Sequence, residues 1–313
     1  MEVRLVGMKF LEKLGIEDVR SLKGFHNKVY EGLHKGAKII VRDSVRRTEE
    51  ALKEEMRVLD CIRSHVPIGE PYPIGGVSVV SYRGHVYAFF KKVDALAWHE
   101  TTLTDTVHYN AGRALATLHA SMRKIKGVRR AAYEKHPDLQ LLQSTDAITN
   151  TELRRTLSEL DTFGKDEKEY GLIHGDYLFS NLLYRDSDVT IIDFDDMEYG
   201  YYLYDIAVYL FYLFLGGAPS QIDIHANREV FKHFIQGYQS VNETIRLDFN
   251  KIQPLFRLRQ LKLLATIKHT IGPSDYGPWQ EAYIDLCEKQ FEKHKPFLDV
   301  DFQAMHDMIK IRG

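Results

Sequence analysis

The chain has 313 residues, 44% hydrophobic and 27% charged, with a formal net charge of −2. That length suffices for two lobes with substantial cores, and the near-balanced charge argues against a global basic field for nucleic acid. Two cysteines, Cys61 and Cys287, with no CxxC pair, argue against a disulfide scaffold or a cysteine zinc site and fit a reducing cytoplasm.

The first residues, Met1 to Val6, lack the long apolar core of a signal peptide. Residues 1–93 read as a small α/β unit. Segments 27–33 and 37–43 flank His34-Lys35-Gly36, a hairpin turn. Residues 47–63 read as a helix, with apolar side chains at 52, 56, 59 and 62. Pro67, Pro71, Pro73, Gly75 and Gly76 then break regular structure. A second hairpin, 77–82 and 85–91, turns about Arg83-Gly84. The expected order is hairpin, helix, hairpin, giving an antiparallel sheet with one helix on it. After Val93 the character changes: 108–124 reads as a helix with Ala111, Leu115, Leu118 and Met122 on one face. From Tyr201 onward, 202–215, 227–238, 252–269 and 280–293 read as helices. The most apolar run, 206–215, is too short and too rich in tyrosine to span a bilayer. The expected architecture is α+β and two-lobed, a sheet-rich lobe at 1–93 and a mostly helical lobe at 94–313, with a cleft between them for ligands.

Two short segments carry the chemistry. Gly171-Leu172-Ile173 is an apolar strand from which His174-Gly175-Asp176 turns away, and Asn181 follows in D-x4-N spacing, that of the kinase catalytic loop. Asp176 is the candidate base for a hydroxyl, with His174 counted beside it as catalytic. The side-chain oxygen of Asn181 suits Mg²⁺. Thr190-Ile191-Ile192 is a second strand, ending in Asp193, which is placed as the other metal ligand in the role of the kinase DFG aspartate. Asp195 and Asp196 crowd the same loop, which needs a cation or basic partners. Which of the three acids meets metal and which meets substrate stays open. Asp205, at an otherwise apolar helix start, must be paired; it is expected to accept backbone N–H groups of the 174–176 turn. Asp195, Asp196 and Tyr199 lie near that turn by sequence and are candidate acceptor contacts, where acidic groups would suit an amine-bearing acceptor.

HGDYLFSN (174–181), IIDFDD (191–196) and YLYDIA (202–207) together resemble the aminoglycoside phosphotransferase and choline kinase family, whose fold is protein-kinase-like. The stretch from IDFDD to YDIA looks most like bacterial members near the type II homoserine kinases and the stress-response kinases. The resemblance implies ATP between the lobes, with adenine on the backbone near Lys91, Val93 and Asp94. It implies Gly24 and Asn27 in the phosphate-covering loop, although only Gly24 is a glycine in 24–30. Arg42 stands where kinases carry a strand lysine, with Lys38 the competing candidate. Its partner acid belongs inside the apolar arc of the following helix. At about 100° per residue Glu55 falls within that arc and Glu54 on the solvent side. The implied activity is ATP- and Mg²⁺-dependent transfer of the γ-phosphoryl group to a hydroxyl of a small molecule, in the cytoplasm and without nucleic-acid or membrane partners. The alternatives are a Ser/Thr protein kinase of the same fold and an inactive nucleotide-binding structural protein of the spore-coat kind.

Overall fold

The computed structural model describes residues 2–22, 27–44, 47–143, 145–216, 219, 227–241, 244–271 and 273–311. Helix α1 (Glu2–Lys13) leads into β1 (Ile16–Leu22), β2 (Lys28–His34) and β3 (Ala37–Ser44). Helix α2 (Glu49–Ile62) follows, then β4 (Val79–Tyr82) and β5 (His85–Lys91). The five strands form one antiparallel sheet in the order β1-β2-β3-β5-β4. Two elements therefore precede the expected hairpin, helix, hairpin. One face of the sheet packs Tyr30, Ile39, Val41, Tyr87 and Phe89 with Phe10 and Leu11 of α1. The other face belongs to α2, whose start is capped by Thr48 accepting from the Ala51 N–H at 3.3 Å.

Helix α2 corrects one expectation. Leu52, Met56, Leu59 and Ile62 are buried as the periodicity requires, but Glu54 is buried too. The segment that follows β6 (Leu96–Ala97) and α3 (Asp105–Met122) runs over the face where solvent was expected. There Glu54 accepts the Arg129 N–H at 2.7 Å and pairs with Arg57 at 2.8 Å.

The larger lobe continues with α4 (Pro137–Leu142), α5 (Ala147–Asp161), β7 (Tyr170–Ile173), β8 (Leu182–Arg185), β9 (Asp188–Ile191) and β10 (Glu198–Tyr201). Then come α6 (Tyr202–Leu215), α7 (Arg228–Gln239), α8 (Ile252–Thr270), α9 (Pro278–Glu292) and α10 (Phe302–Ile311). β7 pairs with β10, while β6, β8 and β9 form a three-stranded sheet. The apolar run at 206–215 lies in α6, where almost every residue is buried. A helix apolar on all sides belongs in a core, and no described helix is long and apolar enough to cross a membrane. Helices α3 and α7 pack backbone to backbone: a Cβ on Gly112 would lie 1.9 Å from Phe234 O, and one on Gly237 1.8 Å from Tyr109 O.

The segment after α2 joins the lobes. Gly69 N donates to Ile191 O at 2.8 Å and Ile191 N to Pro67 O at 2.9 Å. One apolar core runs from Leu52 and Leu59 of α2 through Ile68 to Ile191 and Phe194. The result is a two-lobed α+β, kinase-like fold, with β9 joined to the segment after α2 by the bridge of Ile68 to Ile191.

Candidate active site

β7 ends at Ile173, and the chain turns through His174, Gly175 and Asp176. Gly175 sits at φ +83°, and a Cβ there would lie 2.2 Å from the Asp196 carbonyl oxygen, so only glycine fits. Asp205, fully buried at the start of α6, grips this turn: Oδ2 accepts the His174 N–H and Oδ1 the Gly175 N–H, each at 2.8 Å. His119 Nε2 lies 2.9 Å from the same carboxylate, and its Nδ1 lies 2.8 Å from the Tyr238 hydroxyl. A carboxylate only accepts, so Nε2 carries the proton and Nδ1 accepts from Tyr238.

His174 and Asp176 part company here. The His174 ring is fully buried. Its Nε2 faces Ile192 O at 3.1 Å and its Nδ1 accepts the Asp176 N–H at 3.3 Å. Both nitrogens serve the backbone, so the imidazole links the two motif loops and has no free nitrogen for a substrate. Asp176 instead lines an open cavity. The Asn181 amide nitrogen donates to both Asp176 O and Asp176 Oδ2 at 2.9 Å. That orientation turns the amide oxygen of Asn181 to the opposite side, where a hard cation could take it.

Arg42 meets Glu55 of α2 at 2.5 Å and Asp193 at 3.0 Å, with Asp195 at 3.9 Å. Burial works against its charge, but Glu55, Asp195 and Asp193 outweigh that and raise the guanidinium pKa further. Lys38 is exposed and lies at the other end of β3, next to the turn. The basic partners that the acidic loop needs also include Arg47, 2.5 Å from Asp196 and 3.3 Å from Asp195, and His136, 3.6 Å from Asp196. Arg130 Nη1 donates to Asp195 O at 3.2 Å.

Asp193 stands in the left-handed region, at φ +61°. Desolvation in the cleft pushes its carboxyl up to about 7; Arg42 opposes the shift, and Asp195, Glu55 and Asp196 add to it. Its side chain nevertheless stays 42% exposed. Burial also disfavours charge on Asp196, but His136, Arg47 and Lys262 win and hold that carboxyl well below the usual range. Among the described residues no three His, Cys, Asp or Glu side chains converge on a metal position. Asn181 and Asp193 each carry a hard oxygen of the kind Mg²⁺ takes, a chemistry that would leave its remaining positions to phosphates and water.

Two cavities meet at Asp193. The first, about 650 Å³, is largely apolar, with Val29, Ile40, Phe90 and Val93 on one side and Leu183, Ile192 and Phe194 on the other. Arg42, Lys91 and Asp193 also line it, and the Lys91 side chain pairs with Glu70 at 2.6 Å. The second, about 1000 Å³, holds Asp138, Asp176, Asp195 and Asp196 together with Asn27, Arg47, His136 and Leu141. Tyr199 is directed away from both, its hydroxyl donating to Val128 O at 3.3 Å. Gly24 lies outside the described residues.

Four contributors escaped the sequence reading: Arg47, Arg130, His136 and Arg259. Arg259 of α8 approaches Asp176 Oδ1 to 2.8 Å. No local motif marks any of them; for Arg259 the available signal was a run of charges at 257, 259 and 262 within a largely buried helix.

A two-lobed kinase-like fold with a D-x4-N loop and an acidic second loop at the cleft defines a phosphotransferase class. The chain matches the phosphotransferase enzyme family over residues 18–243 and belongs to it. It is 24% identical to the amicoumacin kinase of Bacillus subtilis (strain 168), covering 92% of this chain and 91% of that one. Its fold is similar to the amicoumacin kinase hAmiN in complex with AMP-PNP, Ca²⁺ and Ami, at a TM-score of 0.84 and 17% identity, covering 96% of each chain. It is also similar to the microcompartment-associated aminopropanol kinase, at a TM-score of 0.69 and 22% identity, covering 92% of this chain and 98% of that one.

Proposed function

We propose that this chain transfers the γ-phosphoryl group of ATP to a hydroxyl of a small, amine-bearing molecule. The observation that carries this reading is the placement of Asp176 in an acid-lined cavity that meets a largely apolar cavity at Asp193. Adenine would lie between Ile40 and Phe90 on one side and Leu183 and Ile192 on the other, near the backbone of 91–93. Arg42, held by Glu55, would grip phosphate oxygens as a rigid fork. Asn181 and Asp193 would hold Mg²⁺, which neutralises phosphate charge when bound. Asp176 orients the acceptor hydroxyl and takes its proton, and Asp205 fixes the turn that carries it.

The lobes divide at 93–94. Asp138, Asp195 and Asp196 attract a cationic amine, and Leu141 with Pro137 offers it an apolar flank. Relatives named for amicoumacin and aminopropanol act on small molecules, and a bounded cavity suits such an acceptor better than a polypeptide. An ATP donor also fits a cytoplasmic setting.

The test is ADP release with Mg²⁺-ATP over amicoumacin, aminopropanol, choline, homoserine, an aminoglycoside and a generic Ser/Thr protein. We expect one of the small acceptors to give release, with Asp176→Asn losing roughly 10²-fold or more while Mg²⁺-nucleotide affinity holds. Release with the protein alone, or full turnover by Asp176→Asn, would overturn the reading.

A further inference from the structure

The two oxygens of Asp176 stand in different surroundings. Oδ1 is buried and lies 2.8 Å from Arg259 Nη2, without an aligned hydrogen bond among the described residues. Oδ2 accepts from Asn181, and the side chain as a whole is 22% exposed. The exposed edge therefore belongs to the Oδ2 side. Arg259 is itself held. Its Nη2 donates to the Tyr212 hydroxyl at 2.5 Å, and its guanidinium carbon lies 5.0 Å from the Tyr212 ring centroid. Burial works against its charge, but Tyr212, Asp176 and Tyr204 outweigh this and raise its pKa well above the usual range. Three residues along α8, Lys262 makes a buried pair with Glu198 at 2.6 Å. Arg259 and Lys262 thus meet the catalytic turn and the strand paired beside it.

We propose that Arg259 is a positioning residue for phosphoryl transfer: its guanidinium pins Oδ1 of Asp176 and so presents Oδ2 to the acceptor hydroxyl. The inference rests on the phosphotransferase reading above. In the step it serves, the acceptor oxygen forms a bond to the γ-phosphorus as the bond from that phosphorus to the β–γ bridging oxygen breaks. ADP leaves with the electron pair, and the acceptor proton passes to Asp176 Oδ2. A carboxylate held at one oxygen by an ion pair and at the other by an amide has one rotamer, which is what a near-attack geometry needs. An ion pair without an aligned N–H leaves that grip dependent on charge and distance. A lysine should then retain part of it, whereas an apolar side chain of similar length should not.

The experiment uses the full chain and the acceptor that wild type turns over fastest in the panel above. Arg259→Met should lower kcat about 10²-fold. Affinity for Mg²⁺-AMP-PNP by calorimetry should stay within about twofold of wild type, and acceptor KM should change far less than kcat. Arg259→Lys should recover about tenfold of the loss. Tyr212→Phe removes the hydroxyl but keeps the ring, and should lower kcat about threefold at unchanged AMP-PNP affinity; it decides the question if Arg259→Met fails to fold. Wild-type kcat in Arg259→Met or in Tyr212→Phe would overturn this proposal alone. So would an Arg259→Lys as impaired as Arg259→Met. No turnover by wild type with any acceptor would overturn the phosphotransferase reading, and this proposal with it.

Discussion

Arg42 spans two carboxylates that come from different lobes, Glu55 on α2 and Asp193 after β9. A lysine offers one nitrogen where the guanidinium offers a planar fork, so Arg42→Lys should weaken the grip on at least one of the two acids. Loss of a partner by a buried charged group costs more than the roughly 1–3 kcal/mol of a neutral polar one. We expect a lower melting temperature and roughly tenfold weaker Mg²⁺-AMP-PNP binding, read by thermal melts and calorimetry; unchanged affinity would remove Arg42 from the phosphate site. Glu54 yields a pH prediction. The Arg57 hydrogen bond, against burial and with help from the Arg129 N–H, holds its carboxyl down to about 2 from the usual 4.5. A folded pKa below the unfolded one stabilises fully above about 4.5, and that contribution fades as pH falls through about 2. The deficit of Glu54→Gln in urea melts should therefore be widest near neutral pH and narrow steadily below pH 4.5. Asp176 and Asn181 within one motif, and Asp193 in the next, were legible as candidates because their spacing is local. Glu54 was misjudged because helical periodicity reports that a face is polar and is silent on whether another segment will cover it.

Elements with an apolar stripe were legible, and those buried through polar contacts were not. Helix α6 was read to the residue because its sequence is apolar apart from Asp205. Helix α5 was missed because Thr149, Glu152 and Thr156 stand on its buried face with Leu153 and Leu160, so no apolar period appears. Strand β1 was missed because it lies at the sheet edge with most of its side chains exposed. Helix α5 begins at Asp146, which accepts the Thr149 N–H at 2.8 Å and pairs with Lys268 of α8 at 3.0 Å. Asp146→Ala should cost about 1 kcal/mol, the usual worth of such a cap. A larger loss, shared with Lys268→Ala in a double-mutant cycle, would show that the ion pair matters as much as the cap. Between α3 and α7 the opposite holds, because there is no room to add. Gly237→Ala would drive a methyl into Tyr109 O, and we expect about 1–3 kcal/mol of destabilisation. Since α3 also carries His119, hydrogen-bonded to Asp205, turnover should fall along with stability. A Gly237→Ala chain with wild-type stability would mean that the two helices separate freely.

Across the whole molecule, Arg42, Arg47 and Glu55 of the small lobe face Arg130, Asp193, Asp195 and Asp196 of the large one. Helical periodicity pointed to Glu55 as the partner of Arg42, but no pattern in the sequence named Arg47 or Arg130 as partners of the acidic loop, because these groups lie far apart in the chain and meet only once both lobes have formed. Ligand that binds between the lobes stabilises the folded state by mass action, about 2.7 kcal/mol at a hundred times Kd. Mg²⁺-ATP should therefore raise the melting temperature by several degrees. Asp193→Ala should abolish the Mg²⁺-dependent part of that rise; an undiminished shift would place the metal elsewhere. Among the described residues, the two cavities of the cleft have only Asp193 in common. On the proposed reading, the donor side is built from β-strands that also carry the sheet and the interlobe core, so change there disturbs folding. Much of the proposed acceptor side comes from 136–141, a short helix and its lead-in. In evolutionary terms the fold separates what must be kept from what can drift: a lineage could change its acceptor through substitutions around α4 while inheriting its nucleotide chemistry intact.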